Sequence, residues 1–201
     1  MTGMVRKALT IAAGFAVVAS VASAGVPDPR FSTLDAVVVG NVSGTPIGGA
    51  PAGFDVTVRD ANNVPLSGRT VTLNFAASGM KVFSTQNAGT TVNCAAKSIS
   101  RVTSGTGAVN FGSRVGKFNN SNTVEVSADG VVLGNVKGRS TDIDGIDGKS
   151  GLGDLALLSN NLLLNPSAQQ TDFDLSGATG LGDLAIFTNE LLTGPTLTYC
   201  P

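Results

Sequence analysis

Apolar and polar residues alternate with a period of two along much of residues 36–136, which is the spacing of strands with one buried face. These runs are rich in Val, Thr and Phe, residues that favour strands. Clusters of Asp, Asn, Ser and Gly at residues 60–63, 119–122 and 129–130 predict turns between them. The predicted strands lie within residues 36–42, 54–58, 71–75, 81–84, 91–95, 108–115, 123–126 and 131–136. About seven to nine short strands predict an antiparallel sandwich.

The hydrophobic pattern changes to helical spacing in the last quarter of the chain. Apolar residues three and four positions apart predict two short helices there. Pro166 ends the first predicted helix, and Gly194 with Pro195 ends the second. The apolar residues are Leu155, Leu158 and Leu162 in the first helix and Leu184, Phe187 and Leu191 in the second.

The two predicted helices belong to a duplicated segment. Residues 147–163 and 176–192 align at an offset of 29 residues without a gap, and both contain the sequence GLGDLA. A match of this length is not expected by chance, so the sequence indicates two copies of one loop-and-helix unit.

The second copy has oxygen-bearing residues at the spacing of a calcium-binding loop. An EF-hand loop places side-chain ligands at positions 1, 3, 5 and 12, a glycine at position 6 and a main-chain carbonyl at position 7. This spacing predicts one calcium ion in the second copy. Counted from position 1, the matching residues are Asp172, Asp174, Ser176, Gly177, Ala178 (through its carbonyl) and Asp183.

The first copy has the same acidic residues but one additional residue in the first half of the loop. Counted back from Asp154 at position 12, Asp147 holds position 5, and the carbonyl of Lys149 holds position 7. Asp142 and Asp144 then lie one place too early. Either this loop bulges to bring them back into position, or its site is weaker than the other.

Asp and Gly are also common turn residues, so both segments could be acidic turns that only connect other elements. Residues 140–201 contain eight acidic residues and one basic residue. Two carboxylates about 4 Å apart repel each other by roughly 4 kcal/mol at an effective dielectric constant near 20. A compact fold of this segment therefore needs a cation, which favours calcium binding.

Residues 141–193, with two calcium loops that each run into one helix, resemble type I dockerin modules. In that family position 12 is commonly Asp, as at Asp154 and Asp183. The resemblance implies docking onto a cohesin-type domain of a partner protein, in the setting of polysaccharide catabolism. Known members carry a Ser-Thr type pair where this chain has Leu-Gly, so the identity of the partner stays open. The partner-reading residues that the resemblance implies are Leu152, Gly153, Ser159, Asn160, Leu181, Gly182, Thr188 and Asn189.

Residues 54–75 resemble the immunoglobulin-like repeats of bacterial invasins and intimins, in which a strand, a D-x-x-x-x-P turn and a second strand recur. Here the turn runs from Asp60 to Pro65. The resemblance implies a spacer or adhesive domain. The expected fold class is therefore mainly β, with an immunoglobulin-like antiparallel β-sandwich followed by a small α-helical, dockerin-like pair of calcium loop-helix units.

The start of the chain and its charge distribution predict a secreted protein of two modules. Residues 1–24 have two basic residues, an apolar stretch and a small-residue Ala-Ser-Ala end, the features of a signal peptide. Residues 25–139 contain ten basic and six acidic residues, whereas acidic residues outnumber basic ones in the segment 140–201. This positive charge is too diffuse to predict nucleic-acid binding. The sequence has no second long apolar run, so insertion into a membrane is not predicted.

The chain has two cysteines, Cys94 and Cys200. In an exported protein they could form a disulfide that joins the end of the chain to the predicted sandwich. Free thiols and an intermolecular bond are the alternatives.

The residue inventory argues against an enzyme and gives no support for sugar binding. The chain has no His, and its two Glu residues, Glu125 and Glu190, have no evident acidic partner. Sugar-binding platforms usually present Trp or Tyr, but the chain has no Trp and one Tyr.

The sequence therefore predicts a secreted, non-enzymatic protein with a calcium-dependent docking module. In the alternative, the protein is a structural or adhesive protein of the cell surface, and the calcium loops pack onto its own sandwich and serve stability only. Burial of Leu152 and Leu181 would weigh against docking.

Overall fold

The computed structural model describes residues 25–43 and 53–201, and the predicted signal peptide lies outside the described residues. The prediction of a mainly β chain with two helices near its end is confirmed. Within the described residues, neither helix has the length and apolar character needed to cross a membrane. The strands are β1 (Thr33–Leu34), β2 (Val37–Gly40), β3 (Phe54–Thr57), β4 (Thr70–Asn74), β5 (Lys81–Val82), β6 (Thr91–Asn93), β7 (Ser98–Val102), β8 (Ala108–Phe111), β9 (Val115–Gly116), β10 (Asn119–Ala128) and β11 (Val131–Ser140).

The described strands form one six-stranded, one three-stranded and one two-stranded sheet. The six-stranded sheet has the order β2-β11-β10-β4-β7-β6, the three-stranded sheet β1-β3-β8, and β5 pairs with β9. Every pair but one is antiparallel, as predicted. The exception corrects the expectation of a fully antiparallel fold: β2 runs parallel to β11, with Val37 opposite Lys137.

One hydrophobic core contains side chains from both of the larger sheets. Phe54 of β3 and Phe111 of β8 come from the three-stranded sheet, and Leu73 of β4 and Val126 of β10 come from the six-stranded sheet. All four are at most 1 % exposed and belong to one cluster of contacting side chains. The alternating pattern in the sequence therefore marks the faces that meet in this core.

Two helices follow β11: α1 (Leu152–Leu164) and α2 (Leu181–Thr193), with a short 3-10 helix (Gln169–Thr171) between them. They pack in a second, smaller core, in which the predicted helix residues Leu158 and Phe187 are fully buried. Ile143 and Phe173 from the segments before the helices fill the rest of this core together with Ile186.

The last residues of the chain return to the β-strands. Residues 195–201, here called the C-terminal strap, leave α2 and lie along β5. The pairing that the sequence left open is present, because Cys200 forms a disulfide with Cys94. The Tyr199 ring stacks on Phe83, with 4.4 Å between ring centroids. The strap therefore fixes the helical segment to the β-strands.

Candidate metal centre

Each duplicated loop is tied to the start of its helix by the aspartate at its last position. In loop 2 (residues 172–183), Asp183 Oδ1 accepts hydrogen bonds from the main-chain N–H groups of Phe173 and Asp174. Its Oδ2 accepts the N–H of Gly180 at 2.7 Å, at the position that caps α2. One fully buried carboxylate therefore joins both ends of the loop.

Loop 1 (residues 142–154) repeats this arrangement. Asp154 accepts the N–H groups of Ile143 at 2.7 Å, Asp144 at 3.0 Å and Gly151 at 2.9 Å. The duplication seen in the sequence is thus also a duplication of main-chain hydrogen bonds.

Loop 2 brings three carboxylates together. Asp172, Asp174 and Asp183 each offer an oxygen, and these oxygens lie within 4.8 Å of one another. Asp172 is 2 % exposed, and its Oδ1 has no hydrogen-bond partner. A buried carboxylate oxygen without a partner is costly, so this oxygen marks the place where a cation would be bound.

Loop 1 brings four carboxylates together within the same 4.8 Å: those of Asp142, Asp144, Asp147 and Asp154. The additional residue is accommodated as a bulge between Asp144 and Asp147, where Ile146 points outward with 74 % exposure. Gly145 in this bulge has φ +65°, a conformation that most residues with a side chain avoid. Of the two alternatives for loop 1, the structure has the bulge, which brings Asp142 and Asp144 into the cluster.

Asp142 has a different environment from Asp172, its counterpart in loop 2. It is fully buried, and both of its oxygens have partners: the N–H of Gly145 and the hydroxyl of Tyr199 from the C-terminal strap. Burial raises the pKa of Asp142 to about 7; the Tyr199 hydrogen bond opposes this rise, and the Asp154 charge adds to it. Loop 1 therefore holds the Asp142 carboxyl in a buried place where its side-chain partner, the Tyr199 hydroxyl, carries no charge.

The other predicted ligand positions lie on the outer side of the loops. Ser176 and Ala178 are exposed, and the Ser176 hydroxyl donates to the Ala178 carbonyl at 3.1 Å. Lys149 is exposed, with Nζ 3.8 Å from Asp147 Oδ2. The side chains of Ser176 and Asp147 are thus accessible to solvent, whereas Asp154 and Asp183 are buried.

Most of the predicted partner-reading residues are exposed. Leu152 is 77 % and Leu181 78 % exposed, so the burial that would have weighed against docking does not occur. Gly153, Asn160, Gly182, Thr188 and Asn189 are also exposed, whereas Ser159 is half-buried.

Gly182 has a second role that its assignment as a partner-reading residue did not include. A Cβ at this position would lie 2.4 Å from Asp174 Oδ2, and a Cβ at Gly153 would lie 3.3 Å from Asp144 Oδ2. Glycine at position 11 therefore leaves room for the carboxylate at position 3.

Sequence reasoning missed two residues that contact the acidic clusters, Arg139 and Tyr199. Arg139 Nη1 lies 3.0 Å from Asp172 Oδ2, and the Tyr199 hydroxyl donates to Asp142. Both lie outside the repeat, and no spacing rule links them to it. The one available signal was that Tyr199, the single tyrosine, precedes Cys200.

The donor set of both clusters consists of oxygen atoms, which fits a hard divalent cation. Comparison of the chain with family models, with curated proteins and with solved structures finds no match. The interpretation of the site therefore rests on its residues and their geometry.

Proposed function

We propose that the chain is a secreted, non-enzymatic calcium-binding protein whose dockerin-like helical module docks onto a cohesin-type domain of a partner protein. The observation that carries the proposal is that each helix, directly after its acidic cluster, exposes a face without charged side chains. This face is repeated in the two copies.

Calcium is the cation that the two clusters suit best. Calcium takes six to eight oxygen ligands in a flexible geometry, and carboxylates, a main-chain carbonyl and water supply them in loops of this kind. In loop 2 the ligands would be Asp172, Asp174, Ser176, the Ala178 carbonyl and Asp183. In loop 1 they would be Asp142, Asp144, Asp147, the Lys149 carbonyl and Asp154.

The uncharged faces support docking. The charged residues of α1 and α2 are Asp154, Asp183 and Glu190, and all three are at most 1 % exposed. An exposed apolar face of this kind on a soluble protein usually marks an interaction site. The docking faces consist of Leu152, Gly153, Ala156, Leu157, Asn160, Leu163 and Leu164 on α1 and Leu181, Gly182, Ala185, Thr188, Asn189 and Leu192 on α2.

Calcium would act on docking through the aspartate at position 12. Asp183 contacts the other end of loop 2 and also accepts the N–H of Gly180 at the start of α2. An ion that orders the loop therefore fixes the start of the helix, where Leu181 lies on the docking face.

The rest of the chain has a supporting role in this proposal. The β-strand region would be an immunoglobulin-like spacer or adhesive domain, and the signal peptide predicted from the sequence would direct export, with which the Cys94–Cys200 disulfide is consistent.

Docking is tested by replacing Leu152 and Leu181 together with aspartate. Aspartate is tolerated in the first turn of a helix, so the fold is expected to persist. Burial of a leucine in an interface is worth about 1.5–3 kcal/mol, so the loss of two should weaken binding to a panel of immobilised cohesin domains by at least about 100-fold relative to the unaltered chain. Binding is measured by calorimetry or surface plasmon resonance, with calcium and with chelator.

The matched control for that experiment is Val102→Asp, because Val102 is 60 % exposed on β7, away from both helices. It is expected to bind cohesin domains as the unaltered chain does. Equal binding by the double leucine variant, or no cohesin binding by the unaltered chain with calcium present, would remove the docking proposal.

One group of contacts favours the alternative, a structural or adhesive protein in which the calcium loops serve stability only. Loop 1 is held against the β-strands, since the N–H of Lys117 donates to the Asp142 carbonyl at 2.7 Å and the N–H of Leu197 donates to the Gly148 carbonyl at 2.9 Å. This alternative predicts that chelation lowers the melting temperature while no cohesin domain binds in either state.

A further inference from the structure

We propose that Arg139, the penultimate residue of β11, is a positioning residue for the metal site in loop 2. The inference rests on the proposed calcium binding and adds a residue from outside the duplicated unit. It also implies that the first aspartate of each loop is held by a different residue from outside the loop, Arg139 in loop 2 and Tyr199 in loop 1.

The guanidinium of Arg139 leaves one oxygen of Asp172 free for the ion. Arg139 is 5 % exposed; its Nη1 lies 3.0 Å from Asp172 Oδ2 and also donates to the Asp172 main-chain carbonyl. The N–H of Gly177 donates to the same Oδ2 at 3.1 Å. Oδ2 therefore has one hydrogen-bond donor and one ion-pair partner, while the buried Oδ1 has no hydrogen-bond partner. A carboxylate held in this way presents Oδ1 as a single, fixed ligand.

The sheet fixes the position of the arginine. Arg139 pairs with Val39 in the parallel ladder of β11 and β2, one residue before β11 ends. The main chain of Arg139 is held by this pairing and its side chain is buried, so its contacts with Asp172 connect loop 2 to the β-strands. An open cavity of about 610 Å³ lies beside the site and is lined in part by Arg139, Asp172 and Gly177.

The charges of loop 2 balance when a divalent cation is bound. Three carboxylates and one guanidinium leave a net charge of about −2 in the ion-free site, which one Ca²⁺ neutralises. In loop 1 the equivalent carboxylate, Asp142, is held by the uncharged Tyr199 hydroxyl. Each first-position aspartate is therefore held by one residue from outside its loop, and only the one in loop 2 brings a charge.

The test is a calorimetric calcium titration of the mature, disulfide-bonded chain with Arg139→Met, and with Arg139→Lys as the conservative variant. Loss of a residue that orients a metal ligand typically lowers metal affinity about 10–100-fold, so R139M is expected to weaken one of two sites by that factor. R139K, which keeps the charge and a donor, is expected to recover part of the loss. The matched control, Tyr199→Phe, should leave the loop 2 site unchanged.

Several results would overturn the inference. Calcium binding by R139M that is as tight as in the unaltered chain, or tighter, would show that the guanidinium only opposes the ion. Equal weakening of both sites would indicate a general effect on folding. If circular dichroism shows that R139M does not fold, Arg139→Gln and R139K carry the test, and an unchanged affinity in both contradicts the proposal. Absence of calcium binding in the unaltered chain would instead reject the proposed function.

Discussion

Replacing Asp183 with alanine is expected to reduce the bound calcium from two ions to one and to destabilise the start of α2. The Asp183 carboxylate is fully buried and accepts three main-chain N–H groups in addition to being a ligand candidate. A buried donor left without a partner costs about 1–3 kcal/mol, so the loss of three acceptor contacts should lower the free energy of unfolding by at least about 3 kcal/mol. Stoichiometry is measured by calorimetry and stability by urea unfolding.

The matched variant for this experiment is Asp154→Ala, because Asp154 makes the same three contacts in loop 1. It should remove the other ion and leave the loop 2 ion in place. If D183A still binds two ions, the assignment of ligands in loop 2 is wrong.

Removal of the Cys94–Cys200 disulfide is the second change with a large expected effect. The bond closes a loop with a sequence separation of 106 residues. In the loop-entropy model such a bond contributes about 4–5 kcal/mol, through the unfolded state. The variant Cys94→Ala/Cys200→Ala is therefore expected to lose about that amount in urea unfolding at saturating calcium. The C-terminal strap should also be released, and the Tyr199 contact to Asp142 should be lost with it.

Each single cysteine variant serves as a control for the double one, since either substitution breaks the bond. Under reducing conditions, which prevent intermolecular pairing, all three variants should have the same free energy of unfolding. A loss below about 1 kcal/mol would contradict the loop-entropy estimate for this bond.

The parts of the fold that follow from local pattern could be predicted from the sequence. The alternation around Phe54 and Leu73 identified core residues, and the helical spacing identified Leu158 and Phe187 as buried. The duplication located the acidic clusters, because ligand spacing in a tight loop is a local property.

The remaining features depend on contacts between segments far apart in the chain, and no local pattern reports these. The parallel pairing of β2 with β11 brings Val39 beside Arg139, a hundred residues apart. The strap places Tyr199 against Asp142, and the sequence showed only that a disulfide could bring it there. The bulge in loop 1 was one of two possibilities, since sequence spacing does not show how a chain accommodates an additional residue.

The charged residues of the two helices show the same difference between local pattern and long-range contact. The charged residues of α1 and α2 are Asp154, Asp183 and Glu190, and the structure shows that all three are buried. Glu190 accepts hydrogen bonds from the N–H and hydroxyl of Ser43, in the segment after β2. Because this partner is distant in sequence, the burial of Glu190 could not be predicted.

A calcium titration of the chelator-stripped, mature protein tests the central claim most directly, by calorimetry at pH 7.5 with circular dichroism in parallel. The account predicts two bound ions, a gain of helical signal, and weaker binding at pH 6, because protons compete for Asp142, whose pKa burial raises to about 7. One bound ion would show that the bulge disables loop 1. No binding, with no change in helical signal, would contradict the account and leave the two clusters as acidic turns.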